Sequence, residues 1–244
     1  MGRLGTEYAW ADLPDAPWRN PYYRSFRTIV LGRHPSDLRF LRRVVSPTIR
    51  DLLKRFRPRW VYAPLAVGTH IDHRLTFEAA RRAVRGRLRF YEDRPYVLLP
   101  GNLQIRLSEL GWRPRVPIPR ISETEFLAGL EQTAYVRTFL GMLKRKASVS
   151  ELLRRLGRRG GRVKLRSQKI RGDALVLDRV CGIVNEYESQ NAALFDGKYR
   201  ESARAYAAEI GGGEYAERCW SLLMPPRKGH STPPEARLGR RRSR

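Results

Sequence analysis

The 244-residue chain is poor in sulfur and in histidine, with two cysteines, three methionines and four histidines. Two cysteines cannot make a disulfide framework, so Cys181 and Cys219 read as buried free thiols of a reducing compartment. No apolar run approaches the length of a membrane span. No apolar h-region stands near Met1, so a secretory signal is not expected and a cytoplasmic location is. A P-loop, a glycine-rich dinucleotide fingerprint, a C-x-x-C pair and an internal repeat are all missing, so nucleotide and redox classes lose their usual markers. Acidic residues are scarce too: 24 stand against 49 basic ones, a formal charge of +25. Such a charge points to an acidic partner. Yet only seven of the 49 are lysine. An arginine excess scattered along the whole chain fits the codon bias of a GC-rich genome better than a dedicated polyanion site, and nucleic acid is not the expected partner.

What is present is concentrated in Pro64-Leu65-Ala66-Val67-Gly68-Thr69-His70-Ile71-Asp72-His73-Arg74. The apolar run 60–63 before it predicts a short strand. Phe77, Ala80 and Val84 after it fall on one helical face, and Asp72 is the expected N-cap. Both imidazoles therefore stand where a strand ends and a helix begins, the mouth of an α/β sheet. A neutral imidazole is a good zinc ligand, and a nearby carboxylate can orient it.

Further strands are expected at 28–31 and 88–91. Leu41, Val44 and Val45 have helical spacing, and Ser46-Pro47 reads as an N-cap with proline in the first turn. Helices are expected at 123–143, 174–188, 199–210 and 215–224, with 100–119 as a proline-interrupted connection. Strands alternating with helices imply a parallel sheet. From Lys144 to Arg171 there are twelve basic residues and one acid, Glu151. This run reads as a solvated, mobile insertion (144–172). Aromatic side chains that would stack nucleic-acid bases are missing from it. After Pro225-Pro226 the composition collapses to that of a disordered basic tail, 226–244.

The block from Val61 to Arg74, followed by Phe90-Tyr91-Glu92-Asp93-Arg94-Pro95-Tyr96, resembles the PIG-L/LmbE-like N-deacetylases. Trp10-Ala11-Asp12-Leu13-Pro14-Asp15-Ala16-Pro17 upstream extends the resemblance, as do Tyr187-Glu188-Ser189-Gln190 and Tyr215-Ala216-Glu217-Arg218-Cys219-Trp220 downstream. It implies one domain over 1–225, an α/β fold with a Rossmann-like, mostly parallel sheet flanked by helices. It further implies zinc-dependent hydrolysis of an N-acetyl group on an amino-sugar-type small molecule. On this resemblance His73 is a metal ligand, His70 stabilises or protonates the tetrahedral species, and Asp72 orients His70. Asp15 is a candidate contact for substrate hydroxyls.

The family's first strand ends in an A-H-P-D-D-E-like motif that supplies two zinc ligands and the general base. No such motif stands near the start of this chain, so the first βα unit is expected to be missing and zinc to be held weakly or not at all. His34-Pro35-Ser36-Asp37 is a partial match. Its serine stands where the base should be, and a turn with a capped helix start explains it as well. The competing readings are a catalytically inactive binding module and a basic protein that binds nucleic acid or membrane surfaces.

Overall fold

The computed structural model describes residues 9–98, 102–111, 163–187, 195 and 197–223. The architecture is α/β: an open four-stranded sheet packed against helices. In chain order the helices are α1 (Ala16–Arg19), α2 (Phe26–Leu31), α3 (Ser36–Phe40), α4 (Ser46–Phe56), α5 (Ile71–Ala83), α6 (Asn102–Glu109), α7 (Ala174–Asn185) and α8 (Tyr199–Glu209). The strands are β1 (Val61–Pro64), β2 (Leu88–Tyr91), β3 (Leu165–Gly172) and β4 (Tyr215–Leu222), in the spatial order β1-β2-β4-β3.

β1 and β2 run parallel, joined through α5, with Val61 opposite Leu88 and Pro64 opposite Tyr91. β4 is antiparallel to both β2 and β3. The sheet is therefore mixed, with a smaller parallel share than expected, because residues 215–222 form a strand and not a helix. Ala216 and Trp220 point to one face, Tyr215 and Cys219 to the other, and all four are buried. A strand covered on both faces loses the apolar–polar alternation that marks it in sequence.

The main core gathers Ala63, Phe77, Phe90, Tyr206, Ala207 and Trp220, so α5 and α8 pack on the same sheet face. Phe77 and Phe90 stack with ring centroids 4.4 Å apart.

Other expectations need correction. Residues 28–31 lie in α2: Ser25 caps that helix by accepting from the Thr28 amide (3.2 Å), and the chain breaks at Gly32. Ser46 starts no new helix. From Ser36 to Phe56 the chain is helical throughout, with a π-helical segment at Leu41–Val45. That widened turn lies just ahead of Pro47, whose ring would clash with the carbonyl four residues back and which has no N–H to give.

The end of the basic run is ordered as β3, whose Arg166, Lys169 and Arg171 protect an outer strand from pairing with other chains. Residues 102–109, expected within a connection, form α6. The helix expected at 123–143, most of the basic run and the tail lie outside the described residues. Cys181 and Cys219 are buried and unpaired, as expected. Among the described residues no helix is long and apolar enough to cross a membrane.

Candidate functional site

The site is built on the loop between β1 and α5. Ala66 (φ 66°), Gly68 (φ 80°) and Thr69 (φ 60°) all adopt left-handed backbone. For the two non-glycine residues this is strained, at roughly 1–3 kcal/mol each. The loop is held from all sides. The Leu65 amide donates to the Tyr91 carbonyl (2.8 Å), and Arg106 Nε donates to the Leu65 carbonyl (2.8 Å). Thr69 Oγ1, 1% exposed, donates to the Val30 carbonyl (2.9 Å). Gly68 is required twice over, by its φ and because a Cβ there would lie 2.4 Å from the Tyr96 ring.

The loop delivers His70 and His73 with ring centroids 5.3 Å apart. His70, not Asp72, is the N-cap of α5: its Nδ1 accepts from the Asp72 amide at 3.2 Å. A ring nitrogen that accepts carries no proton, so the neutral ring bears its proton on Nε2. Burial lowers the His70 pKa. The nearby His73 lowers it further, against the raising influence of Asp72 and Asp15. His70 is thus kept neutral, with an N–H to give.

His73 has a different partner. Its Nδ1 lies 2.6 Å from Asp93 Oδ1, in a geometry that makes no linear hydrogen bond. Asp93 is 2% exposed, and its other oxygen accepts from the Val67 amide at 2.9 Å. A carboxylate beside Nδ1 favours the tautomer with its proton there, which leaves the lone pair of a neutral ring on Nε2. The Tyr96 ring meets His73 edge-on at 5.9 Å.

Asp72 does not face His70 with its carboxylate. Its Oδ1 accepts from Arg19 NH1 (2.6 Å) and its Oδ2 from the Ala16 amide (2.9 Å), so it fastens α1 to the first turn of α5. Its main-chain N–H bonds His70, and its carboxylate acts on that ring only through its charge. The Asp15 carbonyl caps α1 by accepting from the Trp18 and Arg19 amides, and its negative charge acts on His70. The structure therefore brings His70 and His73 together, leaves Asp15 exposed at the start of α1, and gives the Asp72 carboxylate a structural partner.

Asp93, which stands against His73, has no role in the sequence reading. The acidic pair Glu92-Asp93, directly after an apolar strand, was its signal. Glu92 turns the other way, into a buried network: it accepts from Tyr206 Oη, Arg218 Nε (2.6 Å) and Trp220 Nε1 (2.7 Å).

The donor set was tested against zinc, which in catalytic sites takes three protein ligands. Among the described residues no group of three or more histidine, cysteine, aspartate or glutamate side chains could hold a metal. His34 and Asp37 do not complete one. His34 Nδ1 contacts Ser36 Oγ (2.6 Å) and Asn20 Nδ2 (3.0 Å). Asp37 accepts from Tyr23 Oη and the His34 amide. The described residues therefore do not fit a catalytic zinc.

No family model matches the chain, and no curated protein matches it. Among solved structures it is similar to the A40926 pseudoaglycone deacetylase Dbv21, at 18% identity and TM-score 0.45, covering 77% of this chain and 58% of that one. It is similar to the zinc-inhibited form of the teicoplanin deacetylase Orf2, at 19% identity and TM-score 0.47, covering 80% and 56%. A deacetylase–teicoplanin complex gives 19% identity and TM-score 0.48, covering 86% and 61%. The chain thus spans less than two thirds of the length of these relatives.

Proposed function

We propose that this chain is a hydrolase that removes an N-acetyl group from an amino-sugar-type substrate. One observation carries the reading: two adjacent imidazoles have opposite partners at Nδ1, an amide N–H on His70 and a carboxylate beside His73, which favour an Nε2–H on the first and an Nε2 lone pair on the second. The family resemblance of the loop and its flanks supports it.

The residues divide the work as follows. His73, held by Asp93, takes a proton from water as the water oxygen attacks the acetyl carbon. The carbonyl oxygen becomes an oxyanion and accepts from His70 Nε2–H. When the tetrahedral species collapses, the C–N bond breaks and His73 returns its proton to the departing amine. The products are acetate and a free amino sugar. We assign Asp15 to the substrate hydroxyls and Asp72 to positioning, through its amide on His70 and its carboxylate on Arg19. The resemblance also implies a zinc dependence. The His73 nitrogen left for a metal is the one that acts as base above, so added zinc distinguishes the two uses.

The test is acetate release from N-acetylglucosamine derivatives by the full chain, with and without added zinc, alongside His70→Ala and His73→Ala. Release that both substitutions reduce by roughly 10²-fold or more is the expected result. A wild-type chain that releases no acetate under either condition, or variants that release it at the wild-type rate, would overturn the proposal.

A further inference from the structure

Ala63 of β1 and Phe90 of β2 face the main core, so their strand neighbours Tyr62, Arg89 and Tyr91 face the opposite side of the sheet. Gln168 of β3 joins them there, because Tyr91 pairs with Cys219 and Cys219 with Gln168. Trp60, immediately ahead of β1, lies on the same side, with the Arg89 guanidinium over its ring at 4.3 Å. Arg89 NH1 also donates to Gln168 Oε1 at 2.7 Å, so a row of three side chains crosses the sheet. The aromatic rings of this face meet solvent: Trp60 is 40% exposed, Tyr62 52% and Tyr91 42%. Helix α7 packs on the face at its far end, where Val176 meets Gly172.

The rings stand beside a basic end of the sheet. Arg57 and Arg59 precede β1, Arg85 precedes β2, and Lys164 and Arg166 flank the first residue of β3; all five are exposed. The register sets Val61 beside Leu88, Phe90 beside Trp220 and Leu165 beside Leu222, so these residues share one end. It is the end away from the His70–His73 loop, which follows the other end of β1. The segments that meet there, 54–62, 84–91, 163–171 and 219–223, contain no aspartate or glutamate. The Leu223 amide donates to the Lys164 carbonyl (2.9 Å), so the arginine-rich run before residue 163 and the arginine-rich tail after 223 both join the fold at this end. Codon bias scatters arginine, but it does not set exposed rings beside an end free of acids.

Charge and rings together select a ligand class. A polyanion complements the basic end, and planar bases stack on exposed aromatic rings. Tyr62 and Tyr91 stand on adjacent strands, offset by two residues. Strand spacing and rise put them roughly 8 Å apart, far wider than the step of about 3.4 Å per nucleotide in a duplex. That spacing suits splayed bases, which only a single strand offers to a sheet face. A lipid surface is a poorer match, because Arg89 and Gln168 interrupt the apolar rings with polar groups. We propose that this face binds single-stranded nucleic acid without sequence preference, the phosphates meeting the basic end and the bases stacking on Trp60, Tyr62 and Tyr91. None of these side chains belongs to the His70–His73 site, and the proposal does not depend on the hydrolase reading.

The test is fluorescence anisotropy of the full chain at physiological salt with labelled oligothymidylate, oligouridylate and a DNA duplex of the same length, alongside co-sedimentation with phosphatidylcholine–phosphatidylserine vesicles. The expected result is saturable binding of the single strands, tighter than that of the duplex, and the tighter of the two strands names the natural one. Trp60→Ala/Tyr62→Ala should bind at least about tenfold more weakly, the order expected for two lost base stacks. Tyr62→Ala alone, at the more exposed position, should still cost about fivefold and serves if the double variant melts early. Arg57→Gln/Arg59→Gln should flatten the log–log salt dependence by about 1.4, at about 0.7 per phosphate contact. Arg179→Gln on α7 should change neither quantity, and nor should His70→Ala. No saturable binding of a single strand would overturn the proposal. So would a duplex bound as tightly, or aromatic variants that bind as the wild type does, since both mean diffuse charge attraction. Vesicle binding without oligonucleotide binding would make the face a lipid contact instead.

Discussion

His70 and His73 lie side by side with ring centroids 5.3 Å apart, yet their Nδ1 atoms meet opposite partners, an amide N–H and a carboxylate. The Asp72 amide occupies His70 Nδ1, and the Asp93 carboxylate stands against His73 Nδ1. One ring is left as a donor and the other as an acceptor. An acyl-transfer site needs both.

Asp93→Asn should therefore cut acetate release by about 10–100-fold, the usual cost of removing the partner that orients a functional histidine. Its amide oxygen can still accept from Val67, so the fold should survive; circular dichroism checks this. His70→Ala should cost roughly 10²–10³-fold in turnover, as for the loss of one oxyanion donor. Equal rates for wild type and Asp93→Asn would mean that His73 is not oriented by this carboxylate.

Asp72→Ala should act on stability before chemistry. It breaks charge-assisted bonds to Arg19, whose side chain is 9% exposed, and to the Ala16 amide. A loss of about 2 kcal/mol is expected in urea unfolding, on the scale of hydrogen bonds to charged groups. An unchanged midpoint would show that α1 is not held by this residue.

Gly68→Ala should destabilise the chain by about 2–4 kcal/mol, since left-handed backbone and overpacking against Tyr96 act together. Tyr96 lies against His73, so activity should fall as well. Thermal melting and acetate release measure the two effects separately.

The thiols should be slow. Cys219 is 4% exposed, and burial, reinforced by Glu217, pushes its pKa up. A raised pKa means less thiolate at any pH below it, and the thiolate is the nucleophile. Ellman's reagent at pH 8 should react sluggishly with the native chain and promptly with two thiols in denaturant. Two fast thiols in the native chain would contradict the burial of Cys181 and Cys219.

The local parts of this architecture were readable in sequence. The apolar run 60–63 and the periodic Phe77, Ala80 and Val84 marked β1 and α5 to within a few residues. Features that depend on distant partners were not readable. Asp93 enters the site because parallel pairing sets Pro64 beside Tyr91, which brings the residues just past each strand end together. Nothing within 20 residues of His73 announces that register. Asp72 looked like a partner for His70 because it is near in sequence, but Arg19, 53 residues earlier, holds its carboxylate. Residues 28–31 and 215–222 are ambiguous in sequence because short apolar runs suit either helix or strand. A Ser25 cap decided one and two-sided burial the other.

The Asp72 contact also makes a mechanical lever. It ties the backbone at Ala16 to the first turn of α5, the turn that carries His73. Any tension on the polypeptide ahead of Ala16 reaches the first turn of α5 through the Asp72 carboxylate and through the packing of Ala16 in the same cluster as Ile71. An affinity handle or surface tether attached ahead of Ala16 would pull on the imidazoles, so immobilised assays of this protein belong at the other end of the chain.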